Sequence, residues 1–210
     1  MNIFFDFDGT IIDIQRKYEL LAYDALQTLS LRHSLPDNYW QLKRKGMSEK
    51  EIFPLLSTDE FAKYEQYRQT YTENSKYTAH DILQKGILEL LNALRNHVLI
   101  LATMRKDRAR LLDQLEQLGI TSSFVEILTP KKTNQFDKSK ILQESAYLQK
   151  NMSILYGDTE VDIRAAAVLG IKIILYSKGI RSPEFLRTYS DHSPILISHQ
   201  EFIKVITTIQ

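Results

Sequence analysis

The chain has 210 residues, 43% hydrophobic and 25% charged, with a formal net charge of +1 and no cysteine. That composition suits a globular protein that buries a real core, as one large domain or as a core with an insert. Near-neutral charge argues against nucleic acid as a partner, and the lack of cysteine excludes disulfides, thiolate metal sites and cysteine nucleophiles.

The N-terminus opens on a charged strand rather than an apolar leader. No apolar run approaches the roughly 18 residues of a membrane span, so a cytoplasmic protein without membrane contact is expected. Ile3, Phe4, Phe5 and Phe7 read as a short strand that Gly9 and Thr10 end. Side chains alternate along a strand, so Asp6 and Asp8 can share a side, where they repel each other unless a cation lies between them. Past Asp13 the period changes. Tyr18, Leu21, Ala22, Ala25, Leu26 and Leu29 recur at helical spacing, which predicts a helix over residues 15–33. Residues 37–82 stay helical and polar, punctuated by Pro36 and Pro54, with Trp40 and the tyrosines as core positions and no strand.

From Gly86 onward helices and strands alternate. Helical faces at 87–94, 111–118, 139–149 and 162–169 separate apolar strands at 98–102, 124–128, 153–156, 171–176 and 195–197. Gly119 and Gly170 close two of the helices. This alternation predicts an α/β fold, a doubly wound, Rossmann-like parallel sheet covered on both faces. The core comprises residues 1–13 and 83–210, and a small helical insert of residues 14–82 follows the first strand.

Ligands of such sheets bind beyond the carboxyl ends of the strands. The first strand ends in Asp6 and Asp8, and the strand at 98–102 in Thr103-Met104-Arg105. The strand at 153–156 ends in Gly157-Asp158-Thr159-Glu160-Val161-Asp162. Acids, a hydroxyl and room for a cation meet at one sheet edge.

With these residues the chain resembles the haloacid dehalogenase superfamily, and within it the phosphatases with a helical C1 cap after the first strand. Asp6-Phe7-Asp8-Gly9-Thr10-Ile11 matches the first motif, Thr103 the second, and Gly157 to Asp162 the fourth. The resemblance covers nearly the whole chain, and Gly179-Ile180 brings it nearest to phosphoglycolate phosphatase-like members. The third motif is a lysine that often precedes a proline in the family. No Lys-Pro occurs here. Lys132, Lys138 and Lys140 are candidates, with Lys138 favoured because it stands just ahead of a helix.

What the resemblance implies is a Mg2+-dependent phosphatase acting on a small phosphorylated metabolite, as a monomer or homodimer. Asp6 would attack phosphorus and become an aspartyl-phosphate. Asp8 would protonate the leaving alkoxide and then deprotonate the hydrolytic water. Asp6, Asp158 and the backbone carbonyl of Asp8 would hold the metal, with Asp162 binding a metal water or orienting Lys138. Thr103, flanked by Met104 and Arg105, would bind the phosphoryl group; Arg105 is equally readable as a solvated side chain.

The insert's loop Lys43-Arg44-Lys45-Gly46-Met47-Ser48 is expected over the site. Its basic residues suit a second negative charge on the substrate, or else form a solvated helix end. Two other functions fit the same motifs: a phosphosugar mutase using the same aspartyl-phosphate, and a phosphometabolite-binding or regulatory protein whose catalysis has lapsed.

Overall fold

The computed structural model describes residues 1–131 and 137–209. Strand β1 (Asn2–Phe5) leads through β2 (Ile12–Asp13) into helices α1 (Gln15–Thr28), α2 (Tyr39–Arg44), α3 (Glu49–Ile52), α4 (Thr58–Tyr71) and α5 (Ser75–Thr78). The chain returns through β3 (Ile82–Leu83) to α6 (Ile87–Ala93), β4 (Val98–Ala102), α7 (Arg108–Gln117) and β5 (Glu126–Leu128). Then follow α8 (Lys138–Gln143), β6 (Ser153–Gly157), α9 (Glu160–Leu169), β7 (Lys172–Tyr176), α10 (Pro183–Arg187), β8 (Ile195–Leu196) and α11 (His199–Ile209).

The main sheet has the order β5-β4-β1-β6-β7-β8, and every pairing in it is parallel. β1 is buried along its whole length and lies inside the sheet, covered on both faces. Ile3 and Phe5 pack with residues of α6, α7 and α11, whereas Phe4 packs with residues of α8 and α9. All three side chains are fully buried, each contributing about 1.5–3 kcal/mol through the water it excludes. This is the parallel α/β architecture that the alternating pattern predicts.

Helices α1 to α4 enclose an apolar cluster of their own, including Ala22, Leu26, Tyr39, Phe53 and Tyr64. Glu49 is buried in it, accepting hydrogen bonds from Tyr39 and Tyr64, each at 2.9 Å, and pairing with Lys43 and Arg68. Trp40 is buried with the main core cluster and meets Tyr18 edge-on.

Several boundaries differ from the expectation. The first helix ends at Thr28, and the expected strand at 124–128 and helix at 139–149 are shorter, with β5 starting at Glu126 and α8 ending at Gln143. Ile82–Leu83 pairs antiparallel with Ile12–Asp13, a ribbon where no strand is expected, because two residues are too few to show a period of two. A short helix, α10, follows Ser182, whose side chain caps it with Pro183 in the first turn. Among the described residues no helix is long and apolar enough to cross a membrane.

Candidate active site

The sheet order reverses beside β1, since the chain runs outward through β4 and β5 and then returns to β6 on the other side of β1. The loops after β1, β4 and β6 therefore diverge around one crevice. A cavity of about 300 Å3 opens there, lined by Asp6, Asp8, Thr103, Met104, Arg105 and Lys138 from the expected set, and by Lys17 and Tyr18 of α1.

The turn after β1 is tightly wound, with the N–H groups of Ile11 and Ile12 donating to the Phe7 carbonyl at 3.0 and 3.1 Å. Gly9 sits in it at φ +89°, and a Cβ there would lie 2.2 Å from Asp158 Oδ2. Only glycine meets both demands. A Cβ on Gly179 would meet the same oxygen at 2.2 Å, so the backbone closes around Asp158 from two directions.

Lys138 opens α8 and is 3% exposed; its Nζ donates to Asp6 Oδ1 and to Asp162 Oδ1. Lys140 is exposed, with Asp137 3.9 Å away, and Lys132 lies outside the described residues. The other Asp162 oxygen accepts from the N–H groups of Asp158 and Thr159 at 3.3 and 3.0 Å and from the Thr159 hydroxyl at 2.7 Å. Asp162 thus both caps α9 and orients Lys138. Asp158 accepts from the Thr10 hydroxyl at 2.9 Å and the Ile180 N–H at 2.5 Å, and forms no ion pair among the described residues.

Asp6, Asp158 and Asp162 are all buried, and each offers a carboxylate oxygen, these atoms lying within 4.8 Å of one another. Burial pushes the Asp6 carboxyl up to about 7 against the pull of Lys138. Burial, reinforced by Asp6 and Asp162, raises Asp158 well above the carboxylate range. Burial would lower Lys138, but Asp162 and Asp6 outweigh it and keep the ammonium protonated above the ordinary lysine range. Three carboxylates against one ammonium leave negative charge that a hard divalent cation fits.

For Asp8 the expectation is a backbone carbonyl on the metal and a carboxyl that serves as acid and base. Its carboxylate is held by Lys17 at 2.7 Å and by Arg105 at 2.8 and 2.7 Å, away from the three-acid cluster. Its backbone carbonyl remains the only ligand it can offer there. Burial would raise the Asp8 carboxyl, but Arg105 and Lys17 together hold it well below the ordinary range. Arg105 is not solvated. It is 6% exposed and also pairs with the buried Asp81, as Lys17 does.

The basic loop of the insert is not brought to the cavity. Lys43 turns inward to Glu49 at 2.9 Å. Arg44 donates to the carbonyl of Ser177 at 2.6 Å and to that of Gly179, and a Cβ on Gly46 would enter the Phe185 ring. Buried carboxylate and carbonyl acceptors outcompete an open cavity for these cations. Residues that sequence reasoning missed are Lys17, Tyr18, Asp81 and Gln114. Lys17 had a signal: it lies four residues before Leu21 and eight before Ala25, a cation on the buried stripe of its helix. Asp81 and Gln114 had none.

Fold and site define a class first: a doubly wound α/β protein with a buried carboxylate cluster and a lysine over the ends of β1, β4 and β6. The sequence profile of the haloacid dehalogenase-like hydrolases matches residues 3–176, and the chain belongs to that family. No curated protein matches the sequence. Among solved structures, the chain is similar to a haloacid dehalogenase-like family hydrolase from Streptococcus pneumoniae, with 22% identity and a TM-score of 0.77 over 100% of this chain and 98% of that one. A predicted phosphatase from Clostridium acetobutylicum is 19% identical, with a TM-score of 0.74 over 99% and 98% of the two chains. A predicted phosphoglycolate phosphatase from Haemophilus somnus is also 19% identical, with a TM-score of 0.74 over 97% and 96%. At such identities the shared property is the fold.

Proposed function

We propose that the protein is a Mg2+-dependent phosphatase that hydrolyses a small organic phosphate monoester through an aspartyl-phosphate on Asp6. The observation that carries this reading is the buried cluster in which one lysine serves Asp6 and Asp162 while Asp158 has no cationic partner among the described residues. Asp6, Asp158 and the Asp8 carbonyl are the groups that would hold the cation, which would neutralise charge on the phosphoryl oxygens.

Asp6 attacks phosphorus as the bond to the leaving alcohol breaks. Lys138, already on Asp6, balances the charge that nucleophile and phosphoryl oxygens bring together. Thr103 Oγ1 accepts the Arg105 N–H at 3.3 Å, which leaves its own proton to donate to a phosphoryl oxygen. Asp8 lines the same cavity as Asp6 and, as an ionised carboxylate, is set to take the proton of the water that opens the aspartyl-phosphate. Its earlier duty, giving a proton to the alkoxide, requires one of its cations to withdraw. Lys17 belongs to α1, so the position of the helical insert governs that contact.

The insert acts as the cap. It meets the core on both sides of the cavity, through Glu73 accepting the N–H groups of Lys106 and Asp107 and through Arg181 donating to the Lys43 carbonyl at 2.7 Å. Closure of this kind excludes water from the phosphorylated intermediate.

The test is phosphate release from p-nitrophenyl phosphate and a panel of metabolite phosphates, with magnesium and with chelator. Release should require magnesium, and Asp6→Asn should lower turnover by about a thousandfold or more with the circular dichroism spectrum unchanged. Turnover retained by that variant removes Asp6 as nucleophile.

A further inference from the structure

If the phosphoryl group sits at Asp6, as the reading above requires, the leaving group faces Lys17, Tyr18, Thr72, Glu73, Met104 and Arg105. This inference rests on that reading. The two cations among them are already matched. Lys17 lies 2.7 Å from Asp8 and 3.1 Å from Asp81, and Arg105 lies 2.7 Å from each of the same two acids. Two cations face two carboxylates, and Glu73 adds a further negative charge, its oxygens accepting the N–H groups of Lys106 and Asp107 at 2.9 and 2.8 Å.

The donors are mostly spent as well. Arg105 uses Nε on Asp8, Nη2 on Asp8 and Asp81, and Nη1 on Gln114. A guanidinium has five N–H groups and an ammonium three, so Arg105 and Lys17 each keep one. A carboxylate on the substrate would meet only these two spare N–H groups and no unmatched positive charge, and drawing either cation further toward it would weaken its hold on Asp8 and Asp81. The Asp81 side chain has 0% exposure, and its Oδ1 already lacks a hydrogen-bond partner among the described residues. Leaving a buried charge uncompensated is strongly unfavourable.

What the pocket still offers is uncharged hydrogen bonding. Tyr18 and Thr72 line it, and their hydroxyls have no hydrogen-bond partner among the described residues. With the spare N–H of Lys17 and the carboxylate of Glu73, they form a mixed set of donors and acceptors. Alcohol groups match such a set, because each donates once and accepts twice. The space of about 300 Å3 equals about ten water-sized groups, enough for a phosphoryl group and a short carbon chain.

We propose that the leaving-group side of this cavity selects an uncharged, hydroxyl-bearing alcohol, so that the substrates are small sugar or polyol monophosphates rather than phosphates carrying a second anionic group. The phosphoglycolate in the name of the Haemophilus somnus structure falls in the disfavoured class.

The experiment compares glycerol 3-phosphate, erythrose 4-phosphate and glucose 6-phosphate with phosphoglycolate and 3-phosphoglycerate. It measures kcat/KM for the wild-type protein with magnesium, and calorimetric affinity for the Asp6→Asn variant in the same buffer. At least one of the neutral-alcohol esters should be favoured over both carboxylated esters about tenfold or more in both measurements. Equal or better use of the carboxylated esters overturns the proposal. So does hydrolysis of p-nitrophenyl phosphate without turnover or binding of any sugar or polyol ester, and in that case the phosphatase reading stands. Absence of both turnover and binding for every phosphate ester overturns the two together.

Discussion

Replacing Lys138 by methionine keeps the length and apolar stem of the side chain and removes its charge. In the native site that ammonium lies between Asp6 and Asp162, and the three acids of the cluster place ligand oxygens within 4.8 Å of one another. Two carboxylates at that separation repel by about 3.5 kcal/mol at an effective dielectric constant of about 20. Removing one partner of a buried ion pair costs about 3–5 kcal/mol. We therefore expect Lys138→Met to lose about 3–5 kcal/mol in chelator, a fall in Tm of about 10 °C for a chain of this size. Magnesium should recover part of that loss by supplying the missing positive charge. Turnover should drop about 100- to 1000-fold, the scale of one lost charge-stabilising donor. Thermal unfolding by circular dichroism with and without magnesium, alongside phosphate release, reads both effects. Lys140→Met is the control, since its side chain is exposed and its acidic neighbour Asp137 is 3.9 Å away; it should stay within about 0.5 kcal/mol of wild type. A Lys138→Met protein that melts within about 2 °C of wild type in chelator, or that keeps its turnover within a factor of about ten, refutes the assignment of the lysine.

Glu49→Gln leaves Lys43 without a carboxylate partner among the described residues and Arg68 with Glu65 alone, and should destabilise the insert by about 2–4 kcal/mol. Urea unfolding followed by the single tryptophan, Trp40, measures this, and a midpoint equal to wild type would contradict it. Burial would raise the Glu49 carboxyl, but Arg68 and Lys43 hold it below its ordinary value. Its stabilisation is therefore present above the unfolded pKa and lost as pH falls through the folded one, and Glu49→Gln should lack that acid-side loss. His199 is fully buried, with Nδ1 3.0 Å from the Tyr156 hydroxyl and Nε2 without a hydrogen-bond partner among the described residues, and burial lowers its pKa to about 4. The neutral ring is what the fold holds, so the stability linked to it is complete above about pH 6.5 and falls by about 3 kcal/mol toward pH 4. His199→Gln should flatten that part of the stability–pH curve, and an unchanged slope counts against the burial argument. Magnesium at about 100 times its Kd should add about 2.7 kcal/mol to the folded state. Asp158→Asn should abolish most of that gain, as differential scanning calorimetry would show.

The parallel sheet was legible because its signal is local. An apolar strand such as Val98–Ala102, buried on both faces, needs only its own residues to be recognised. The two-residue ribbon of β2 and β3 was not legible, since its pairing joins Ile12 to Leu83 across the whole insert. In the site, the acids after β1 and β6 were visible from their spacing, and Lys138 from its place ahead of a helix. The basic loop at Lys43 and Arg44 was misplaced. Charge near a glycine shows where a loop is, but not that Glu49 and the carbonyls of Ser177 and Gly179 will take up its cations.

Periodicity determined the α/β architecture, and the two aspartate motifs placed the acids at the strand ends. Tertiary structure decided which partners those acids have. Lys138 reaches Asp6 across 132 positions of sequence, and Arg105 reaches Asp8 across 97. Contacts at such separations are made by the pairing of β1 with β4 and β6, whose registers set one strand end beside another. Ionisation states and spare donors follow from those contacts. The acids are therefore legible in local sequence, and the cations that face them are set by the fold.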